Sequence, residues 1–242
     1  HALGRVLQQA PAAVDSWMAG QARILKSDAH SRVGLLTLDG QLCCLKFYRY
    51  KSGLQRLGYR LGRGRAVAAF DAARLLQAAG VAVPQPLACV RVNGGVVLLT
   101  AGVADSADLK SLWLQGLQGE RLAQTMRQAA RAMARLHAAG FSHGDCKWSN
   151  FLCAADDILL IDLEGVRRAA PGSSAVIRDL ARFTLNAEDM GLAQKIYEDV
   201  LAVYSGDRQV ATDALKDAVL KMLRPMRERH LQRYGQRGHH LL

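Results

Sequence analysis

Apolar residues change their period along this chain, from strand-like in the first hundred residues to helix-like beyond. Val33-Gly34-Leu35-Leu36-Thr37-Leu38 reads as a strand, Asp39-Gly40 as a hairpin turn, and Leu42 to Tyr48 as the returning strand. Arg23-Ile24-Leu25 adds a short strand before them, and residues 5–20, with Val6, Leu7, Val14, Trp17, Met18 and an interrupting Pro11, read as a loosely docked lead-in. Ala66 to Ala79 predicts a helix packed through Val67, Phe70, Leu75, Leu76 and Ala79 and stopped by Gly80. Strands follow at Leu87–Val92 and Val96–Thr100, joined by Asn93-Gly94-Gly95.

Helical spacing then takes over. Asp105 to Leu114 predicts a short helix with Trp113 in the core. Glu120 to Ala139 carries the clearest amphipathic pattern, with Leu122, Met126, Ala129, Ala130, Met133 and Leu136 on one face and Gly140 as its stop. Leu152-Cys153 and Ile158 to Leu163 form a hairpin. Val176–Leu185, Glu188–Tyr204 and Asp207–Leu223 read as further helices, with Pro225 breaking or kinking the last before an Arg-rich tail. No apolar run approaches the roughly 18 residues of a membrane span. No secretory signal opens the chain, and His1 in place of Met suggests a trimmed or tagged start.

The chemistry gathers where the clearest helix ends, at His143-Gly144-Asp145-Cys146-Lys147-Trp148-Ser149-Asn150, with Asp162 closing the apolar run Ile158-Leu159-Leu160-Ile161. Asp145 can orient an acceptor hydroxyl and take its proton. Asn150 and Asp162 are hard oxygen ligands suited to Mg²⁺ on ATP phosphates. Lys147 would lie near the transferring phosphoryl group and offset its growing charge. Lys46, on the returning strand, points opposite to Leu45 and Phe47 and is the candidate for pairing the α and β phosphates. Lys26 to Arg32 falls where a phosphate-covering loop would sit, but holds no G-x-G-x-x-G; Ser27, Ser31 and backbone N–H groups are its candidates.

His143-Gly144-Asp145 through Asn150, then Asp162-Leu163-Glu164-Gly165, resembles the HGD-x4-N and D-x-x-G pattern of protein-kinase-like small-molecule kinases. Leu45-Lys46-Phe47-Tyr48-Arg49, Gly80-Val81-Ala82-Val83-Pro84 and Arg178-Asp179-Leu180-Ala181-Arg182 most resemble the bacterial lipopolysaccharide core kinases, over about residues 20–205. The resemblance implies a two-lobe α+β protein-kinase-like fold. A β-rich lobe would span 1–99, a hinge 100–104 and a helical lobe 105–242. It implies ATP and Mg²⁺ as cofactors and a heptose or Kdo hydroxyl of the lipopolysaccharide inner core as acceptor. Thr100 and Val103 would flank adenine in the hinge, His143 would brace the loop near Asp162, and Asp179 would accept hydrogen bonds from the catalytic loop. The family's helix Glu, partner of the strand Lys, has only Asp71 as a stand-in. The segment from Gly165 to Ser174 is short and no A-P-E follows, which argues against a peptide acceptor.

Charge and cysteines refine this picture. The formal net charge of +11 favours an anionic partner. Lys46, Arg49, Lys51, Arg56, Arg60, Arg63 and Arg65 lie in an acid-free stretch, and Lys221 to Arg237 is a second basic run with Glu228 its sole acid. Together with a lipid-linked acceptor, they suit peripheral attachment of a cytoplasmic protein to the anionic inner membrane. Interleaved aromatics are lacking, so nucleic acid is not the expected partner. Five cysteines without metal-type spacing read as reduced thiols. Two rival functions stay open: a kinase for a soluble small molecule or for protein side chains, and a non-catalytic nucleotide-binding scaffold.

Overall fold

A computed structural model of the chain describes residues 13–50, 64–92, 94–155, 157–235 and 239–242. The basic connector carrying Lys51, Arg56, Arg60 and Arg63, the lead-in residues Val6, Leu7 and Pro11, and Arg237 lie outside them. The chain divides into two compact units: residues up to Ala78 with Val83–Asp105, and Ala79–Ala82 with Ser106–Leu242.

The first unit is a five-stranded antiparallel sheet with two helices. Helix α1 (Ala13–Gln21) precedes β1 (Arg23–Ser27), β2 (Ser31–Leu38) and β3 (Gln41–Arg49); α2 (Arg65–Ala78) precedes β4 (Pro86–Val92) and β5 (Gly95–Ala101). The strands lie in the order β1-β2-β3-β5-β4. Asp39 (φ 48°) and Gly40 (φ 80°) turn the β2–β3 hairpin in the left-handed conformation that matches strand twist. Alternation along the strands separates two cores. Leu45, Phe47, Val97 and Leu99 face Val14 and Met18, while Tyr48, Val96 and Leu98 face Ala66 and Ala69.

Three expectations are corrected here. The lead-in is a docked helix: Met18 is fully buried, and the Asp15 carboxylate receives Arg49 Nε at 2.9 Å and Nη2 at 2.5 Å. Apolar burial and an ion pair fix a segment whose short pattern suggested neither. Helix α2 packs through Ala66, Ala69, Ala72, Ala73 and Leu76, whereas Leu75 is 49% exposed. Val67 and Phe70 pack part-buried against the same core and Leu76 is buried, so of the expected packing residues only Leu75 and Ala79 are exposed. The expected phosphate-covering loop shrinks to a tight turn, because Asp28 Oδ1 accepts the His30 and Ser31 N–H groups at 2.7 and 2.8 Å. Those two bonds hold the Asp28 carboxyl down at a pKa of about 2. Of the loop's backbone N–H groups, those of His30 and Ser31 are thereby occupied.

The second unit is mostly helical. β6 (Ser106–Asp108) leads into α3 (Leu109–Leu114), where Asp108 accepts the Ser111 N–H at 3.0 Å as N-cap. The long helix α4 (Gly119–Ala138) buries every apolar residue anticipated for its face. Next come β7 (Phe141–Ser142), β8 (Phe151–Ala154), β9 (Asp157–Leu160) and β10 (Arg167–Arg168), then α5 (Ser174–Met190), α6 (Gln194–Arg208) and α7 (Thr212–Tyr234). β6, β8 and β9 form one small sheet, and β7 and β10 another.

The expected helix from Asp105 begins only at Leu109, since Ser106–Asp108 pairs as strand β6, and two later helix boundaries differ as well. Glu188 ends up inside α5, where it is fully buried and paired with Arg227. Helix α7 runs through Pro225 to Tyr234, because buried Leu223 and Arg227 anchor the turns on either side. Arg227 also donates to the Leu242 carbonyl at 2.9 Å, and the Leu241 N–H donates to Glu188 at 3.1 Å. One cation of the basic tail is therefore spent inside the unit. No helix of the described residues is long and apolar enough to cross a membrane.

Candidate active site

Helix α4 ends at Ala138, and β7 delivers the chain to His143. Asp179, buried on α5, accepts the backbone N–H groups of His143 (2.5 Å) and Gly144 (2.9 Å). It also lies 3.3 Å from His137 Nε2, whose Nδ1 is 2.7 Å from the Tyr204 hydroxyl. The loop is thus tied to α4, α5 and α6 at once. The His143 ring braces the other side. The Asp145 N–H reaches Nδ1 at 3.4 Å, so Nε2 carries the proton and donates to the Ile161 carbonyl at 3.0 Å. Burial pushes the His143 pKa below its ordinary 6.5, although Asp179, the Ile161 carbonyl, Asp145 and Asp162 all pull it upward. Neutral His143 is a strut, and the base has to be sought elsewhere.

Two glycines bring the two halves of the motif together. Gly144 has φ +83°, and a Cβ there would stand 2.7 Å from the Gly165 carbonyl oxygen; a Cβ on Gly165 would meet the His143 carbonyl at 2.9 Å. The H-G-D turn and the D-x-x-G turn touch backbone to backbone, and no side chain fits between them. Asp162 itself adopts a left-handed conformation, φ 62° and ψ 52°. Asp is among the few side chains that tolerate this, at a cost of about 1 kcal/mol or more.

Asp145, Lys147, Asn150 and Asp162 share the second unit. The Asn150 Nδ2 donates to the Asp145 backbone carbonyl at 2.8 Å, and the Ile161 N–H donates to the Asn150 carbonyl at 3.0 Å. Asn150 is thereby fixed one residue from Asp162. Lys147 Nζ lies 2.7 Å from Asp145 Oδ2, and Arg182 Nε lies 3.4 Å from Oδ1. Asp145 is 37% exposed, so its carboxylate meets solvent while flanked by two cations. Below it, fully buried Trp148 packs on Trp113 and Phe183 at centroid distances of 5.6 and 5.8 Å. The Trp148 backbone N–H donates to Asn186 Oδ1 at 3.0 Å. Cys146 is fully buried, which pushes its thiol well above the ordinary range and leaves it inert.

The remaining candidates lie in the first unit. Lys46 stands on the α2 side of β3, with Nζ 4.9 Å from the Tyr48 ring centroid. Asp71 is exposed on α2. Thr100 lies in β5, opposite Cys44 and Pro86, and Val103 follows half-buried. Arg182 and Asn186 were missed as site residues. Their signal was the helical spacing from Asp179, since positions three and seven residues on return to nearly the same face.

The donor set fits a hard cation. Asn150 turns its amide nitrogen to the Asp145 carbonyl and so keeps Oδ1 for a ligand, and the backbone bond from Ile161 to Asn150 brings the neighbouring Asp162 to the same loop. No group of three or more His, Cys, Asp or Glu side chains among the described residues could hold a metal. Two protein oxygens are what a Mg²⁺ shared with phosphates and water requires.

Comparison with known proteins bears on the family and the fold. Among curated proteins none matches the sequence. Among solved structures, one described as WaaP in complex with acyl carrier protein is similar at a TM-score of 0.61 and 23% identity, covering 91% of this chain and 92% of that one. The BubR1 kinase domain is a more distant likeness (TM-score 0.47, 16% identity, 61% and 47% covered). The first of these shows a kinase-like fold. Residues 15–204, most of the chain, match the profile of the lipopolysaccharide kinase (Kdo/WaaP) family, and the chain belongs to that family.

Proposed function

We propose that this phosphotransferase moves the γ-phosphoryl group of ATP to a hydroxyl of an inner-core lipopolysaccharide sugar, heptose or Kdo. The observation that carries the reading is Asp145, part-exposed on a loop otherwise locked by buried hydrogen bonds and flanked by two cations. The acceptor hydroxyl would give its proton to Asp145 as its oxygen bonds to phosphorus and the bond from phosphorus to the ADP oxygen breaks. Lys147 and Arg182 would stabilise negative charge on the phosphoryl oxygens as transfer proceeds. Asn150 and Asp162 would hold Mg²⁺, which supplies charge neutralisation at the phosphates. Lys46 would pair the α and β phosphates without help from Asp71, and the backbone from Thr100 to Val103 would meet adenine in a hinge spanning 100–104.

A lipid-anchored acceptor places the reaction at a membrane surface, reached from the cytoplasm by peripheral contact. The test is transfer of labelled γ-phosphate from Mg-ATP to dephosphorylated core lipopolysaccharide, beside soluble sugars and a generic protein, with Asp145→Ala as control. Label on the lipopolysaccharide alone, abolished by the substitution, supports the reading. Label on a soluble sugar or protein alone refutes the acceptor, and ATP binding without any transfer marks a scaffold.

A further inference from the structure

Helix α7 carries its apolar stripe past the point where the unit covers it. Along one face it buries Leu215, Val219, Leu223 and Arg227. Leu231, one turn beyond Arg227, and Tyr234, the next position on that face, are 49% and 60% exposed. A surface helix ordinarily ends its apolar stripe where its neighbours end. Here a leucine and a tyrosine continue it into solvent.

Some cations of the described residues are held in ion pairs. Arg49 is paired with Asp15, Arg127 with Glu120 and Arg227 with Glu188. Lys221, Arg224, Arg229 and Arg233 are all exposed, and none forms an ion pair among the described residues. Arg233 lies over the Tyr234 ring, 5.4 Å from its centroid. Glu228 is the one acid between Lys221 and Gly235. The helix lies wholly beyond the family-matched segment, residues 15–204.

We infer that the C-terminal end of α7 is the docking surface for an anionic phospholipid bilayer. Leu231 and Tyr234 enter the headgroup layer, and Lys221, Arg224, Arg229 and Arg233 hold lipid phosphates. An amphipathic ring such as tyrosine and an aliphatic side chain favour the boundary between headgroup and acyl chain, while arginines add a salt-sensitive attraction. A bilayer fits better than an acidic protein, because an exposed aliphatic and an exposed aromatic side chain stand among the cations, and a bilayer surface offers an apolar layer beneath an anionic one. The inference rests on the reading of the acceptor as lipid-borne.

The test is co-sedimentation of the full chain with phosphatidylcholine vesicles, with and without phosphatidylglycerol, at low and high salt. The wild-type chain should bind only the anionic vesicles and leave them at high salt. Leu231→Glu with Tyr234→Glu should lower the bound fraction about tenfold or more. The same variant should retain full transfer to a deacylated, water-soluble core oligosaccharide, which shows that the fold and the site survive. Leu231→Ala with Tyr234→Ala should give an intermediate loss and serves where the charged variant fails to fold. Unchanged binding of these variants, equal binding to neutral vesicles, or binding to polyglutamate but not to vesicles would each overturn the inference. If no acceptor of any kind is phosphorylated, the function reading fails separately, and vesicle partition still decides the docking surface.

Discussion

The catalytic loop of the second unit and strand β3 of the first both present a charged side chain for phosphate chemistry, yet they are built differently. In the loop every motif residue is held by a partner that few other residues could replace. Asp179 takes two backbone N–H groups, His143 spans Asp145 and Ile161, and Gly144 abuts Gly165. On β3, Lys46 is one alternating position of a regular strand, and the ladder around it would form with many other side chains. A site made by buried, specific contacts leaves a motif; a site made by position on a sheet leaves one residue.

The largest effect should come from the loop's exposed chemistry. Asp145→Asn should lower kcat by about 10²–10⁴-fold, the usual worth of a positioned general base, while melting within a few degrees of wild type. Asp162→Ala should remove Mg-ATP binding measured by calorimetry. Near-normal turnover in Asp162→Ala would sink the site assignment.

Stability tests the same contrast from beneath. Asp179→Ala leaves the buried His143 N–H without its acceptor, at about 1–3 kcal/mol, and frees the part-buried Gly144 N–H at a smaller cost. For a chain of this length that is a fall in Tm of roughly 5–15 °C by calorimetry. Gly144→Ala combines a left-handed backbone with a Cβ 2.7 Å from the Gly165 oxygen. It should cost about 2 kcal/mol or more and slow transfer, because the two motif turns are forced apart. Equal stability of Gly144→Ala and wild type would show that the turns can separate freely.

Much of this was legible beforehand, for physical reasons that differ by element. Helix α4 was readable because its buried face keeps one period over twenty residues. The β2–β3 hairpin was readable because Asp39-Gly40 is a turn few other pairs make. Helix α1 was not, since nine residues with two buried apolar positions give no period; the Asp15–Arg49 pair that holds it spans 34 positions. Arg227 was likewise read as part of a solvated basic run, whereas its partner Glu188 lies 39 residues earlier. Long-range ion pairs leave no local pattern, so charge runs overstate the free basic surface. The brevity of the 28–30 turn was hidden too, because only the side chain of Asp28 closes it.

On the first unit the effects should be smaller and more uneven. Lys46→Met should lower kcat/KM by roughly 10–100-fold, the worth of one charge-assisted phosphate contact, with little change in Tm. Asp71→Ala, on an exposed helix position, should change it by no more than about twofold. A loss in Asp71→Ala matching that of Lys46→Met would show that the two pair during turnover after all, and would bring this unit closer to the loop in design.

The gentlest probe is acidity, and it again falls on the loop. Burial lowers the pKa of His143 in the folded chain below the ordinary 6.5 of the unfolded one. Between those two values the unfolded chain binds the extra proton, so stability increases with pH there. His143 therefore contributes fully above about pH 6.5, and its contribution falls away as the pH drops from there to the folded pKa. The carboxylates facing the ring, Asp179, Asp145 and Asp162, oppose the shift and keep the effect modest. Melting temperature followed from pH 7.5 to 5.5 should decline in the wild type and decline less in His143→Gln. The variant starts lower, having lost the ring's brace between Asp145 and Ile161. Parallel curves would mean that the acid sensitivity lies in another group and that His143 stays neutral throughout, a strut without a titration.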